Sequence, residues 1–494
     1  MTRSVPGPTD RVVVVGAGLG GLACALHLAT TGRHVTVLER EPRPGGRAGQ
    51  LTLGGYRFDT GPTVLTMPEL IGEAFAAVGE NLTDWLTLDR LDPAYRAWFP
   101  DGSRLDVITD PDRMAAEIAR TCGPREADGY RQFVAYAKRL WRLQRHDFIE
   151  RNLDSPRDLL TANLLRLVAA GGFGRLQHRT DRFFRDPRTR RVFSFQAMYA
   201  GLAPHRALAL YAVIAYLDAV AGVYHPRGGI HALPRAMAGA AQRHGVQLRY
   251  NTPVTSVEVR AGRAVAARTA TGERFPADVV VLNPDLAAAH ALLPGPGLRR
   301  RLKYSPSCVL VHLGSTQRYR HAAHHNIHFG RSWRTTFDEV IGRGRLMSDP
   351  SLLVTNPSRT DPHLAPAGRH TYYILAPVPN LTAAPFDWRG DLAQRYADEL
   401  VENLQARGYR NLAATTEVRR VVTPADWAEA GMAAGTPFAA AHTLSQTGPF
   451  RPANLHPALD NVVFVGSGTQ PGVGVPMVLI SGKLAAARIT GATG

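Results

Sequence analysis

"RVVVVGAGLGGLACALHLA" (Arg11–Ala29) decides the fold. Val12 to Val15 form a continuous β-branched run, the pattern of a central parallel strand covered on both faces. Gly16, Gly18 and Gly21 follow in G-x-G-x-x-G spacing. The first permits a tight turn, the second lets the backbone approach a pyrophosphate, and the third lets the next helix pack close to the strand. Leu22, Ala25, Leu26 and Ala29 then recur at helical period. The start of that helix offers free N–H groups and a positive dipole end to phosphates. Gly16, Ala17, Gly18, Gly20 and Gly21 are therefore the expected phosphate-side contacts, and the fold class is α/β, Rossmann-like in this part.

The next stretch outward, "HVTVLER" (His34–Arg40), reads as a second strand, with Glu39 standing 18 residues after Gly21. A carboxylate there accepts from both hydroxyls of an adenosine ribose and repels a 2′-phosphate. "EREPRPGGRAG" then places Gly45, Gly46 and Arg47 soon after the acidic residue, something a soluble NAD dehydrogenase has no particular need for. "GYRFDTGPTVL" (Gly55–Leu65) reads as a strand running into a turn. At the far end, "VVFVGSGTQPGVGVPMVLISGKLAA" (Val462–Ala486) repeats the strand, glycine turn and helix start of Arg11–Ala29.

A chain of 494 residues is expected to hold about two or three domains. Its 45% hydrophobic and 20% charged content is that of a folded protein. The formal net charge is +17, carried almost wholly by arginine, since Lys138, Lys303 and Lys483 are the only lysines. Such an excess suits an anionic membrane surface or a nucleic acid. The chain shows no paired zinc ligands and no RNP-like motif, so nucleic acid is not an expected partner. Cys24, Cys122 and Cys308 are scattered and suggest no disulfide framework. The beginning lacks an apolar signal core, and the longest apolar run, "ALALYAVIAYLDAVAG" (Ala207–Gly222), is interrupted by Asp218 and is expected as a buried helix. These features point to a cytoplasmic protein, peripheral to the cytoplasmic membrane rather than spanning it.

Glu39-Arg40, Gly45-Gly46-Arg47 and Phe58-Asp59-Thr60-Gly61-Pro62-Thr63 resemble the FAD-binding stretches of the flavin amine oxidase superfamily. Within it they are most similar to the bacterial-type phytoene desaturases, which act on carotenoids. The resemblance continues through "FSFQAMYAGLAPHRA" (from Phe193), "GVYHPRGGIHALPRAM" (from Gly222), "HHNIHFG" (from His324) and "DPHLAPAGRHTYYILAPVPN" (from Asp361), and it ends in the stretch from Gln446 to Lys483. It implies FAD as cofactor, with Arg40, Gly46, Arg47, Gly61, Pro62 and Thr63 joining the contacts above. The backbone of Val254 is implied beside the adenine. Gly466, Gly468, Gly474, Val475, Pro476 and Met477 are implied at the flavin ring, where the last helix turns its N-terminus toward the N1–C2=O edge.

The resemblance also implies a discontinuous FAD-binding domain (1–76, 225–288 and 457–494), a mixed-sheet substrate domain (77–110 and 289–456) and a helical, membrane-facing subdomain (111–224). The chain as a whole is then α+β. The implied substrate is an apolar polyene such as phytoene, desaturated to lycopene or an intermediate. An allylic CH2 gives a hydride to flavin N5 and the next carbon loses a proton. A substrate without heteroatoms calls for a long apolar tunnel and few catalytic side chains. The proton acceptor is not legible; Arg157 and Asp158 are weak candidates whose favoured role is a helix first-turn pair. Quinone and oxygen are the two candidate electron acceptors. Alternatives are a 3,4-desaturase, a C30 desaturase or an isomerase, then an amine oxidase using Lys303, and a non-catalytic prenyl-binding protein.

In the helical part, Trp141 and Phe148 stand among Lys138, Arg139, Arg142 and Arg145, the composition of an interfacial amphipathic helix. These residues are the expected membrane-docking surface, with Leu159–Phe173 as a second one. His324, His325 and His328 cluster in "HHNIHF", but neighbouring side chains on a strand face opposite ways and no acidic partner is near. An edge strand with polar faces is expected there, and no metal.

Overall fold

The computed structural model describes residues 3–298 and 300–492. Five parallel strands make one sheet in the order Val462–Phe464, Val279–Leu282, Arg11–Val15, His34–Leu38 and Gln247–Arg249. The first, middle and last parts of the chain all contribute. Alternate side chains feed two cores. Val12, Val14, Val35, Val37, Val279 and Val281 face helices Leu19–Ala29, Ala232–Arg243 and Val475–Thr490. Val13, Val15, Leu38, Val280 and Leu282 face the antiparallel meander Val254–Arg260, Arg263–Thr269 and Arg274–Pro276. This two-sided burial is why the strands are β-branched at consecutive positions, each buried valine contributing about 1.5–3 kcal/mol.

The second sheet has seven strands in the order Thr416–Val422, Ser307–Ser315, His370–Val378, Leu352–Thr355, His325–His328, Tyr95–Trp98 and Arg104–Val107. It is antiparallel except where His325–His328 runs parallel to Tyr95–Trp98. The expectation of an edge strand at "HHNIHF" is therefore wrong: His325–His328 is internal and buried throughout. Each histidine there meets a hydroxyl, His324 with Thr360 at 2.7 Å, His325 with Thr355 at 2.9 Å and His328 with Tyr409 at 3.2 Å. Those contacts make a polar strand tolerable inside a sheet, and burial lowers the pKa of all three rings.

Helices Pro111–Cys122 and Pro124–Gln144 start the third region. The Asp110 side chain caps the first, accepting from Asp112 N at 3.1 Å and Arg113 N at 2.9 Å. Phe133, Phe184 and Phe193 form its aromatic centre, with Phe184 stacked on Phe193 at 5.1 Å. The run from Ala207, expected as one helix, instead changes pitch twice. It winds as a 3₁₀ turn (Ala209–Tyr211), an α-turn (Ala212–Tyr216) and a π-turn (Leu217–Ala221). Among the described residues, no helix is long and apolar enough to cross a membrane.

Candidate active site

The strand Arg11–Val15 ends at Gly16, whose φ of +98° is open to glycine and strained for other residues. Helix Leu19–Ala29 begins after Gly18 with no acidic residue in its first turn and no side-chain cap. The first-turn N–H groups thus have no intrahelical acceptor and face away from any carboxylate on that turn. Glu39 ends the neighbouring strand. Its buried carboxylate accepts from Ala17 N at 2.6 Å and Glu41 N at 2.9 Å. Burial raises its pKa, partly offset by those two bonds. Glu39 O also accepts from Thr252 N at 2.8 Å, which brings Val254, two residues on, to the same end of the sheet.

The two glycine turns meet. A Cβ on Gly20 would lie 3.1 Å from Gly466 N, and one on Gly482 would lie 2.5 Å from Gly20 O. Glycine at 20 and 482 therefore lets the first and last helices touch through their backbones. Asn283, at the end of the strand Val279–Leu282, fills the seam. Its Nδ2 donates to Gly16 O at 3.3 Å, and a Cβ on Gly18 would stand only 2.5 Å from that nitrogen. Arg47 ties the Gly45-Gly46 stretch to the far end, bonding Ser467 Oγ and pairing with Asp285 at 2.9 Å. Gly45 N donates to Ala17 O at 2.9 Å, so Gly45-Gly46 runs directly beside the first turn.

The far turn is held from below. Arg451 is fully buried and donates to Ser467 O at 2.6 Å, Thr469 O at 3.0 Å, Ala440 O at 3.3 Å and Gln446 O at 3.4 Å. Burial lowers its pKa to about 10, which leaves it a cation at neutral pH. Val473 N donates to His442 Nε2 at 3.4 Å, and burial keeps that imidazole neutral. Gly474 caps helix Val475–Thr490 with φ +113° and stands exposed, with nothing nearer to its missing Cβ than Pro476 Cδ at 4.0 Å.

The model of the family described as "flavin containing amine oxidoreductase" matches residues 19–490. The chain belongs to the flavin-containing amine oxidoreductases. It is 56% identical over 491 residues to a phytoene dehydrogenase of Streptomyces griseus, covering 99% of this chain and 96% of that one. It is 36% identical to the zeta-carotene-forming phytoene desaturase of Myxococcus xanthus, covering 97% and 93% respectively. An oxidoreductase from Methanosarcina mazei shares the fold, with a TM-score of 0.60 at 15% identity over 96% of this chain and 99% of that one.

FAD is the cofactor of this family, and the residues present fit it. The uncapped helix start suits a diphosphate and the Glu39 carboxylate a ribose diol. Gly46 and Gly474 are exposed glycines at positive φ; a Cβ on Gly46 would touch Gly18 Cα at 3.4 Å, while one on Gly474 would project into space a planar ligand can use. Arg40 stands apart from this group. It is exposed, bonding Ala430 O at 3.0 Å and Glu41 at 3.2 Å. Gly61 O accepts from Tyr373 at 2.9 Å, which joins the Gly61-Pro62-Thr63 turn to the seven-stranded sheet. Buried Asp59 accepts from Ile230 N at 2.9 Å and His231 N at 3.2 Å, and burial raises its pKa to about 6.

Gly468 is wedged against Leu286, whose Cβ would lie 2.7 Å from a side chain placed there. Val475, Pro476 and Met477 form the first turn of the last helix, with Pro476 where a missing N–H costs nothing. Asn283, Arg451 and His442 carry no local signature.

Arg157 and Asp158 do not reach this site. Asp158 closes a capping box, accepting from Asp154 N at 2.8 Å and Ser155 N at 2.9 Å, and Arg157 is exposed. The Lys138–Phe148 stretch also differs from expectation. Arg139 and Arg142 are exposed, but Leu140 and Leu143 are buried, and Trp141 and Phe148 pack on the interior. Arg145 lies over Trp141 and pairs with Glu150 at 2.7 Å. The exposed apolar side chains lie instead at Leu160, Leu165, Val168 and Phe173, with Leu444 and Phe450 on a neighbouring loop.

Proposed function

We propose that this chain is an FAD-dependent phytoene desaturase of carotenoid biosynthesis. The 56% identity to a phytoene dehydrogenase across nearly the whole of both chains carries that reading. Bound FAD supplies the hydride acceptor. Gly16, Gly18 and Gly21 hold its diphosphate, Glu39 its ribose, and the backbone of Val254 borders its adenine. The N-terminus of helix Val475–Thr490, fixed by Arg451 and His442, sets the ring and offers N–H groups to the charge that reduction places on it. The remaining side chains orient a hydrocarbon and exclude water. Segments 1–76, 225–288 and 457–494 form the cofactor-binding unit in this reading. Quinone or oxygen takes the electrons onward.

The substrate lives in the bilayer, so the protein docks there. The patch of Leu160, Leu165, Val168 and Phe173, with exposed Arg157, Arg166 and Arg175 beside it, has the composition of an interfacial surface. Gln470 Nε2 donates to Leu153 O at 3.1 Å and Gly448 O at 3.3 Å, linking this patch to the far glycine turn. Incubation of the FAD-loaded protein with liposomal phytoene tests the activity: conjugated carotenes are expected, and unchanged phytoene with a bound, oxidised flavin rejects it. Leu165→Asp with Val168→Asp should abolish co-sedimentation with anionic liposomes. Arg139→Gln with Arg142→Gln should change it by no more than about 1 kcal/mol per arginine, at low salt only.

A further inference from the structure

Among the described residues, one buried carboxyl has neither a counter-ion nor a hydrogen-bond partner for one of its oxygens. Asp218 is 3% exposed and sits in the π-turn Leu217–Ala221, a geometry that recurs at functional sites. Its Oδ1 accepts from Gln196 Nε2 at 3.4 Å, while Oδ2 has no partner. Gln196 is fixed by donating also to Val192 O at 2.9 Å and Tyr95 OH at 3.2 Å, and its own Oε1 is unpartnered. Apolar Leu217 and Ala219 flank it in the chain, and Ala219 belongs to the buried cluster that holds Tyr95, Phe195 and Val223. An unpartnered buried oxygen is costly, about 1–3 kcal/mol, and calls for a reason.

Its place in the fold is informative. The segment carrying Asp218 begins at Tyr211, whose hydroxyl donates to His442 O at 2.9 Å, next to the far glycine turn. It ends at Tyr224, whose N donates to Leu65 O at 2.8 Å, just beyond Gly61-Pro62-Thr63. The segment carrying Asp218 is thus tied at one end beside the far glycine turn and at the other just past the Gly61-Pro62-Thr63 turn. An aromatic line leads to it from outside: exposed Tyr199 packs edge-on against Phe195 at 5.8 Å, and Phe195 edge-on against Tyr95 at 5.7 Å.

We infer that Asp218 is the proton acceptor of the desaturation, with Gln196 and Tyr95 as its positioning residues. The inference rests on the phytoene desaturase reading above. The hydride leaves the first carbon for the flavin with its electron pair. The proton of the adjacent C–H bond passes to Asp218 Oδ2, and the pair left behind becomes the new C=C bond. The carboxylate becomes a carboxylic acid and is restored by releasing that proton to solvent before the next turnover. The allylic cation supplies the positive charge that the resting cluster lacks. Burial without a counter-ion raises the pKa of Asp218 and favours its acid form, so the accepting anion forms only once that proton has been released to solvent, and it is then a strong base.

The test uses FAD-loaded wild type and the Asp218→Asn, Asp218→Glu and Asp218→Leu variants with liposomal phytoene. Carotene formation, flavin reduction, FAD affinity and thermal midpoint are followed together. Expected are a 10²–10⁴-fold loss of carotene formation for the Asn and Leu variants, on the order of general acid–base contributions, and partial recovery for Glu. FAD affinity should be unchanged in all, and the Leu variant should be at least as stable as wild type, because it removes an unpartnered polar group. Asn or Leu variants within tenfold of wild type, or a Leu variant that loses stability in step with activity, overturn the assignment alone. A wild type that binds FAD but neither reduces it nor converts phytoene overturns the desaturase reading and the assignment with it.

Discussion

The two glycine turns look alike in sequence and differ in what surrounds them. The first is filled by protein. A Cβ on Gly18 would meet Asn283 Nδ2 at 2.5 Å, and one on Gly21 would meet Gly16 O at 2.3 Å. The second is clamped at its base, where a Cβ on Gly472 would lie 2.2 Å from His442, and open at its tip, where Gly474 faces nothing closer than 4.0 Å. Glycine is required for contact between backbones in one place and for unfilled space in the other. Substitutions should separate these two causes.

Gly21→Val has the largest expected effect on the fold. Its side chain has only backbone and strand to displace, and a loss above about 4 kcal/mol is expected, the class of exceptional core substitutions. Thermal melting of the FAD-free protein reads it, and a melting point near wild type would show the first turn to be as roomy as the second. Arg451→Met comes next. It strips four buried carbonyls of their donor, and with about 1–3 kcal/mol for each group left unpaired the loss should be several kcal/mol. Arg451→Lys should recover part of it. If chemical denaturation finds the methionine variant unharmed, the far turn does not depend on its clamp.

Gly474→Val should cost the fold less, about 1–3 kcal/mol, for forcing a branched residue into a glycine-only conformation. Its main effect is on the ligand: nucleotide binding through the first turn survives while carotene formation stops. A variant whose flavin is reduced at the wild-type rate would make the second turn a packing feature like the first. Glu39→Ala also leaves the Ala17 and Glu41 N–H groups without their acceptor, but its smallest and most specific effect is on the ligand. Losing an ionised acceptor should weaken FAD by about 1.5–3 kcal/mol, roughly ten- to a hundredfold. Calorimetric titration measures this directly, and equal affinity would move the ribose elsewhere.

Both strand–turn–helix units were readable because each is written in contiguous residues, with β-branched runs and glycine spacing side by side. Asn283, Arg451 and His442 were not readable, since each acts on a turn reached through the tertiary fold. The Lys138–Phe148 helix shows a further reason. An apolar stripe beside arginines gives a helix two faces but does not say whether the apolar one meets a core or a lipid. There it meets the core, while the shorter Leu160–Phe173 stretch keeps its apolar side chains outside. His325–His328 was misplaced because polarity was taken as a sign of an edge, when hydroxyl partners on neighbouring segments make an interior strand of histidines stable.

The backbone contact of Gly20 with Gly482 has a consequence for biosynthesis. Helix Leu19–Ala29 is translated long before its partner helix Val475–Thr490. Val5 N bonds Arg488 O at 2.8 Å and Arg488 pairs with Asp154 at 2.7 Å, so the segment before the first strand also waits for the last helix. In the reading proposed above, the ring side of the cofactor site is therefore complete only once helix Val475–Thr490 has docked on Leu19–Ala29, and losing that helix leaves half of a flavin site.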